Sequence, residues 1–137
     1  MAIPFRAAHW MALRRDDSEA AAYAGLLRER AGIAYSAIDG NLILASAGIL
    51  TEGTIGAVWA LISDEIKRDH PIWFLRTARR LLMPVVQTLG LSRVEALVDP
   101  TIDVNCQWIK WMGFEFELRK KRAKANGDPL DSYVLFP

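Results

Sequence analysis

Cysteine, histidine and long apolar runs are scarce in this chain, and each scarcity removes a class of explanation. The single cysteine, Cys106, excludes an internal disulfide and any zinc site built from cysteine pairs, and it fits a reducing compartment. The two histidines, His9 and His70, have no histidine partner at ligand spacing, so no metal site is expected. No apolar segment approaches the ~18 residues that a membrane-spanning helix needs, so no membrane partner is expected. The opening residues, MAIPFRAAHWMALRRDD, lack the unbroken apolar core of a signal peptide. Charge of one sign is also missing: 17 basic residues against 16 acidic ones leave a net +1. That balance supplies no overall drive toward nucleic acid, which is not an expected partner. What is present is a globular composition, 52% hydrophobic and 24% charged over 137 residues. One domain spanning residues 1–137 is expected.

Periodicity divides the chain into elements. Ala7, Ala8, Trp10, Met11 and Leu13 recur at helical spacing. A second helix is expected over DDSEAAAYAGLLRERAG, capped by Asp16 with Glu19 three residues on and closed by Gly32. Asp39-Gly40-Asn41 between two strand-like runs predicts a hairpin. TIGAVWALIS reads as a third strand, apolar on both sides and therefore central. The longest helix is expected next, with Asp69 as cap, Pro71 in its first turn and Gly90 at its end. Ile72, Leu75, Ala78, Leu82, Val86 and Leu89 would form its buried stripe, and Pro84 would bend it. SRVEALVD is a strand, TIDVNCQWIKWMG a short helix, and FEFEL and SYVLFP two closing strands. A strand–helix–strand unit between antiparallel hairpins implies an α/β fold with a mixed sheet and helices on both faces.

That element order, with Gly113-Phe114 before the penultimate strand in VEALVDPTIDVNCQWIKWMGFEF, resembles the GNAT acetyltransferase superfamily over about residues 33 to 137. The resemblance implies a central, mostly antiparallel sheet with one parallel strand pair. A narrower set is similar to the small GNAT-like protein of short-tailed bacteriophages, an internal virion protein. That set comprises Arg14 to Asp17, Trp59, Phe74-Leu75-Arg76, and Asn105 with Trp108 before Gly-Phe.

The resemblance also sets two chemical tests. Members hold the diphosphate of acetyl-CoA on a glycine-rich turn between central strand and long helix, where main-chain N–H groups converge at a helix N-terminus. Here that stretch is SDEIKRDHP, which has no glycine and carries Asp64, Glu65 and Asp69. Members often place a proton-donating tyrosine four residues before the glycine of Gly-Phe; here Ile109 stands there. No catalytic residue is assigned on this basis, and Tyr35 and Tyr133 are too distant in sequence to substitute by spacing. Trp108 and Trp111 share a helix face and are expected to pack in the core.

Two principal readings stay open. The first is a phage or prophage GNAT-like protein without acetyltransferase activity, with a structural or assembly role, requiring no cofactor and meeting other virion or host proteins, in the virion or the infected cell's cytoplasm. The second is a divergent acyl-CoA-dependent N-acetyltransferase. In that case acetyl-CoA would be held by the central-strand backbone at Leu61, Ile62 and Ser63, with Asn105 and Trp108 as further cofactor contacts. A third, weaker reading makes the basic run Arg119 to Lys124, or the Arg76/Arg80 face, a docking surface for a host protein.

Overall fold

The computed structural model describes residues 1–30 and 32–137. In chain order its elements are β1 (Ala2–Pro4), α1 (Ala7–Arg14), α2 (Glu19–Arg30), β2 (Gly32–Asp39), β3 (Leu42–Glu52) and β4 (Ile55–Ile62). There follow α3 (Asp64–Asp69), α4 (Pro71–Thr88), β5 (Arg93–Val98), α5 (Asp103–Trp111), β6 (Glu115–Lys120) and β7 (Leu130–Leu135). Backbone hydrogen bonds order the strands β1-β2-β3-β4-β5-β7-β6. The β4/β5 pair is parallel, whereas β1/β2, β2/β3, β5/β7 and β6/β7 are antiparallel. This is the expected mixed α/β sheet flanked by helices.

The residues fall into two compact units, one of Met1–Thr51 with Trp59–Ala78, the other of Glu52–Val58 with Arg79–Pro137. In the first, α1 packs on α2 and α2 on β2. Gly25 permits the helix contact, because a Cβ there would lie 2.9 Å from the Ala7 carbonyl oxygen and 3.1 Å from Trp10 Cβ. The β2–β3 hairpin turns at Gly40, whose φ of +58° suits a residue without a side chain. A register shift between Ala37 and Ile38 gives β3 one extra residue, Leu44, which is buried. Phe5, Trp10, Ala21, Leu44, Ile49, Ile66 and Phe74 are buried here.

In the second unit α5 packs on β5 and β6. Val86, Leu91, Val94, Ala96, Val98, Phe114, Tyr133 and Val134 are buried. β5 alternates, with Val94, Ala96 and Val98 inward, and β7 is buried on both faces along Asp131–Val134. β6 is the outer strand and all six of its residues are exposed; its Glu, Arg and Lys side chains discourage further strand pairing.

Several expectations change. β1 was not foreseen, since three residues carry no period. The cap of α2 is Ser18 rather than Asp16: Ser18 Oγ accepts from the Ala21 N–H, while Asp16 accepts from the Ser18 N–H. The long helix begins at Pro71 as expected, but the stretch before it, read as a turn, forms the separate short helix α3, which ends at His70, where φ −135° and ψ 37° leave the helical region. The stripe on α4 holds at Val86, but Ile72 and Leu89 are exposed and Phe74 takes the buried place. α4 continues through Pro84.

Gly48 lies opposite Ala34, and a Cβ on it would sit 2.5 Å from Ala34 Cβ and 2.7 Å from the Ile33 carbonyl oxygen. Gly48→Ala should therefore cost about 1–3 kcal/mol. Gly40→Ala, which meets no atom and only left-handed strain, should cost about 1 kcal/mol. Urea titrations of the two variants check the ranking, and an equal or smaller loss at Gly48 contradicts it.

Candidate functional site

The N-terminal unit holds the chain's densest polar–aromatic arrangement. α1 contributes His9 and Trp10, α2 contributes Arg28, and β4 contributes Trp59. The rings meet edge to face: Phe5 with Trp59 at 5.1 Å, Trp10 with Trp59 at 5.5 Å, and Phe5 with His9 at 5.9 Å between centroids. The Arg28 guanidinium carbon lies 3.9 Å from the Trp10 ring centre and 5.4 Å from that of Trp59. The Arg14 guanidinium sits 5.5 Å from the same Trp10 ring. Burial and the repulsion of Arg14 both push the pKa of Arg28 down.

Trp10 Nε1, Trp59 Nε1 and Arg28 Nε are buried, with no hydrogen-bond partner among the described residues. A buried donor without an acceptor costs about 1–3 kcal/mol. Arg28 Nη1 is used locally, donating to the Ala24 carbonyl at 3.1 Å.

His9 completes the arrangement. Its Nδ1 accepts from the Arg6 N–H at 3.2 Å and lies 2.7 Å from Ser36 Oγ, which lies 2.7 Å from Ser46 Oγ. Ser36 and Ser46 are each 1% exposed, so their hydroxyls have only one another and the ring to bond. An accepting Nδ1 fixes the neutral tautomer with its proton on Nε2, which makes His9 a donor toward its surroundings. Burial first, and the Arg6 charge second, push the His9 pKa down. Sequence reading gave His9 no role. The i, i+1 placement of His9 and Trp10 on α1 was visible, but serine partners 27 and 37 residues away were not.

The turn after β4 places the expected donor-binding residues. Leu61 and Ile62 end β4, and Ser63 caps α3 with its Oγ accepting from the Ile66 N–H at 3.4 Å. Asp64 and Glu65 occupy the first turn of α3 and are exposed, and Arg68 is held by Asp69 through two hydrogen bonds of 2.9 and 3.0 Å. The Ser63 N–H donates to the Leu44 carbonyl. Two carboxylates, one amide already consumed and an arginine already paired make a poor cradle for a diphosphate. The residues here do not fit that group. The parallel pairing of β4 with β5 runs from Ile55/Arg93 to Val58/Ala96, while β4 itself continues to Ile62.

In the C-terminal unit, Asn105 and Trp108 lie on α5, with Asn105 Oδ1 buried and unbonded. The core-packing expectation for the two tryptophans fails at Trp111, which is 47% exposed and lies under the Arg79 guanidinium at 5.6 Å. Tyr133 was set aside on sequence spacing, yet β7 brings it against α5. Its pKa is raised by burial first and then by the charge of, and hydrogen bond with, Cys106. Cys106 Sγ also donates to the Asp99 carbonyl at 3.7 Å.

The basic run has structural duties. Arg119 pairs with buried Asp131 through hydrogen bonds of 2.8 and 3.2 Å, and Lys124 pairs with Asp99 at 2.8 Å. Lys124 and the Thr101 hydroxyl and N–H hold the Asp99 carboxyl far below the usual carboxylate range. Among the described residues no three His, Cys, Asp or Glu side chains are grouped to hold a metal, and no helix is long and apolar enough to cross a membrane.

The architecture so described is the GNAT acetyltransferase fold. Solved structures sharing it include a GNAT-family acetyltransferase from Streptococcus pneumoniae (TM-score 0.74, 15% identity, covering 100% of this chain and 99% of that one). An aminoglycoside 6'-acetyltransferase type Ii is similar at TM-score 0.75 and 14% identity, covering 99% and 96%. An IAA acetyltransferase from Bacillus cereus is similar at TM-score 0.74 and 9% identity, covering 100% and 99%. No protein-family model and no curated protein sequence matches the chain.

The His9 arrangement makes a pH prediction. A depressed folded pKa means that the unfolded chain takes up the proton first. Stability is then fully present above the unfolded value of about 6.5 and declines as pH falls through the folded value. NMR titration should place the His9 inflection below about 6.5. Ser36→Ala, which removes a donor to Nδ1, should raise it; an inflection that stays put contradicts the serine relay.

Proposed function

We propose that the chain is a divergent N-acyltransferase, taking an acyl group from an acyl-CoA thioester to an amine. The observation that carries this reading is the course of β4, which runs on to Ile62 after its last partner on β5, within a fold shared along nearly its whole length with N-acetyltransferases. A pantetheine arm is an extended chain of amides, and strand backbone at Leu61 and Ile62 is suited to pair with it as one strand pairs with another, whereas Ser63 has its N–H bonded to Leu44 and its carbonyl to Lys67. The chain's own contribution is positioning. No basic side chain of the aromatic cluster is free to accept a proton, since His9 Nδ1 is already bonded. Holding the amine beside the thioester supplies much of the rate in such a reaction. The thioester supplies the acyl group, and the diphosphate receives no assigned residues.

A second reading, a non-catalytic assembly component of a phage particle, is favoured in its non-catalytic part alone, by the acidic first turn of α3 and by Ile109 on α5, which has no proton to transfer. The two readings separate in one experiment. Calorimetry with acetyl-CoA should show sub-millimolar binding, and an amine panel should show thioester consumption. No heat at millimolar acetyl-CoA removes the transferase reading, and stoichiometric recovery in purified particles would then support the other.

Asp64→Asn with Glu65→Gln, both on the exposed first turn, should tighten acetyl-CoA binding about three- to tenfold at low salt, with a smaller gain at high salt. Unchanged affinity would mean that the diphosphate lies away from α3.

A further inference from the structure

We propose that the Trp10–Arg28–Trp59 cluster is a binding site for a carboxylate borne by a small molecule. The inference goes beyond acyl transfer and does not depend on it.

Two guanidinium groups, Arg28 and Arg14, approach one indole ring at 3.9 and 5.5 Å. They repel one another, and among the described residues no carboxylate pairs with either. Of the acids nearest in sequence, Glu29 accepts from Arg6 Nη1 and the Ala7 N–H, and Asp16 accepts from the Ser18 N–H and feels the Arg14 charge without pairing with it. Among the described residues, the buried unbonded side-chain atoms of this cluster are all donors. They are Arg28 Nε and the indole N–H groups of Trp10 and Trp59, of which Trp10 is only 7% exposed. Donors without acceptors, beside a guanidinium paired with no carboxylate, are the complement of an anion. Rings stacked about a cation would ordinarily recruit an amine, but Arg28 already fills that role, so a second cation would be repelled.

A carboxylate suits the donor set better than a phosphate. Arg28 has spent Nη1 on Ala24, which leaves the edge of its planar fork that carries the unbonded Nε, and two oxygens in one plane match that edge. A phosphate dianion would leave several oxygens without donors. Entry is from the side of Arg14, which is exposed, and of Arg28, which is partly so.

The full chain, without acetyl-CoA, is titrated with succinate, succinamide and sulfate, followed by tryptophan fluorescence and calorimetry. Succinate should bind saturably and at least about tenfold more tightly than succinamide, and Arg28→Gln should weaken it by about tenfold or more. Trp10→Phe keeps an aromatic side chain but removes the N–H with the pyrrole half of the indole, and should weaken succinate about three- to tenfold. This variant carries the test if Arg28→Gln fails to fold. Equal binding of succinamide, binding of sulfate alone, or unchanged affinity in the variants overturns the proposal. Since no thioester is present, failure of the transferase reading would leave this result standing, and the reverse holds too.

Discussion

The close crossing of α1 and α2 at Gly25 is the constraint on which the N-terminal unit depends. With 2.9 Å between a notional Cβ and the Ala7 carbonyl oxygen, no larger residue lets the two helices meet as they do. That approach brings Trp10 beneath Arg28 and toward Trp59 on β4. Stacking a guanidinium on two indoles recovers part of the cost of burying it, by cation–π attraction and by contact of its weakly hydrated faces. It does nothing for N–H groups at the ring edges and on Nε, because a π face accepts charge without accepting those in-plane hydrogen bonds. The cluster is thus well packed and electrostatically incomplete.

Much of the architecture was legible in the sequence because it rests on local patterns. Asp39-Gly40-Asn41 between apolar runs fixed a hairpin, Gly90 after α4 ended a helix, and Gly113-Phe114 marked the entry to β6. What escaped depended on partners remote in sequence. β1 is three residues that become a strand only because β2 offers its edge. α3 escaped because its six residues lie in a charged stretch read as the turn before Pro71. Trp111 read as core from its spacing with Trp108, yet a helix face says nothing about whether a neighbour covers it, and an arginine lies there instead.

The site residues divide along the same line. Leu61, Ile62 and Ser63 were placed at the end of the central strand from order alone, and the absence of glycine before Pro71 was plain. The serine pair behind His9 and the stacking of Arg28 were not readable, since Ser36, Ser46, Arg28 and Trp59 lie on four elements. The acidic turn at α3 and the donor-rich cluster at α1 and α2 also have opposite electrostatic characters within one unit. One repels phosphate and the other seeks an acceptor, so the fold's name does not fix which ligands it takes.

Indole N–H resonances report on this most directly. In a proton–nitrogen NMR spectrum with all five tryptophans assigned, the Nε1–H signals of Trp10 and Trp59 should move downfield together as succinate is added, while those of Trp73, Trp108 and Trp111 stay in place. Signals of Trp10 and Trp59 that do not move, or that move no more than the other three, would contradict the claim that these donors await an anion.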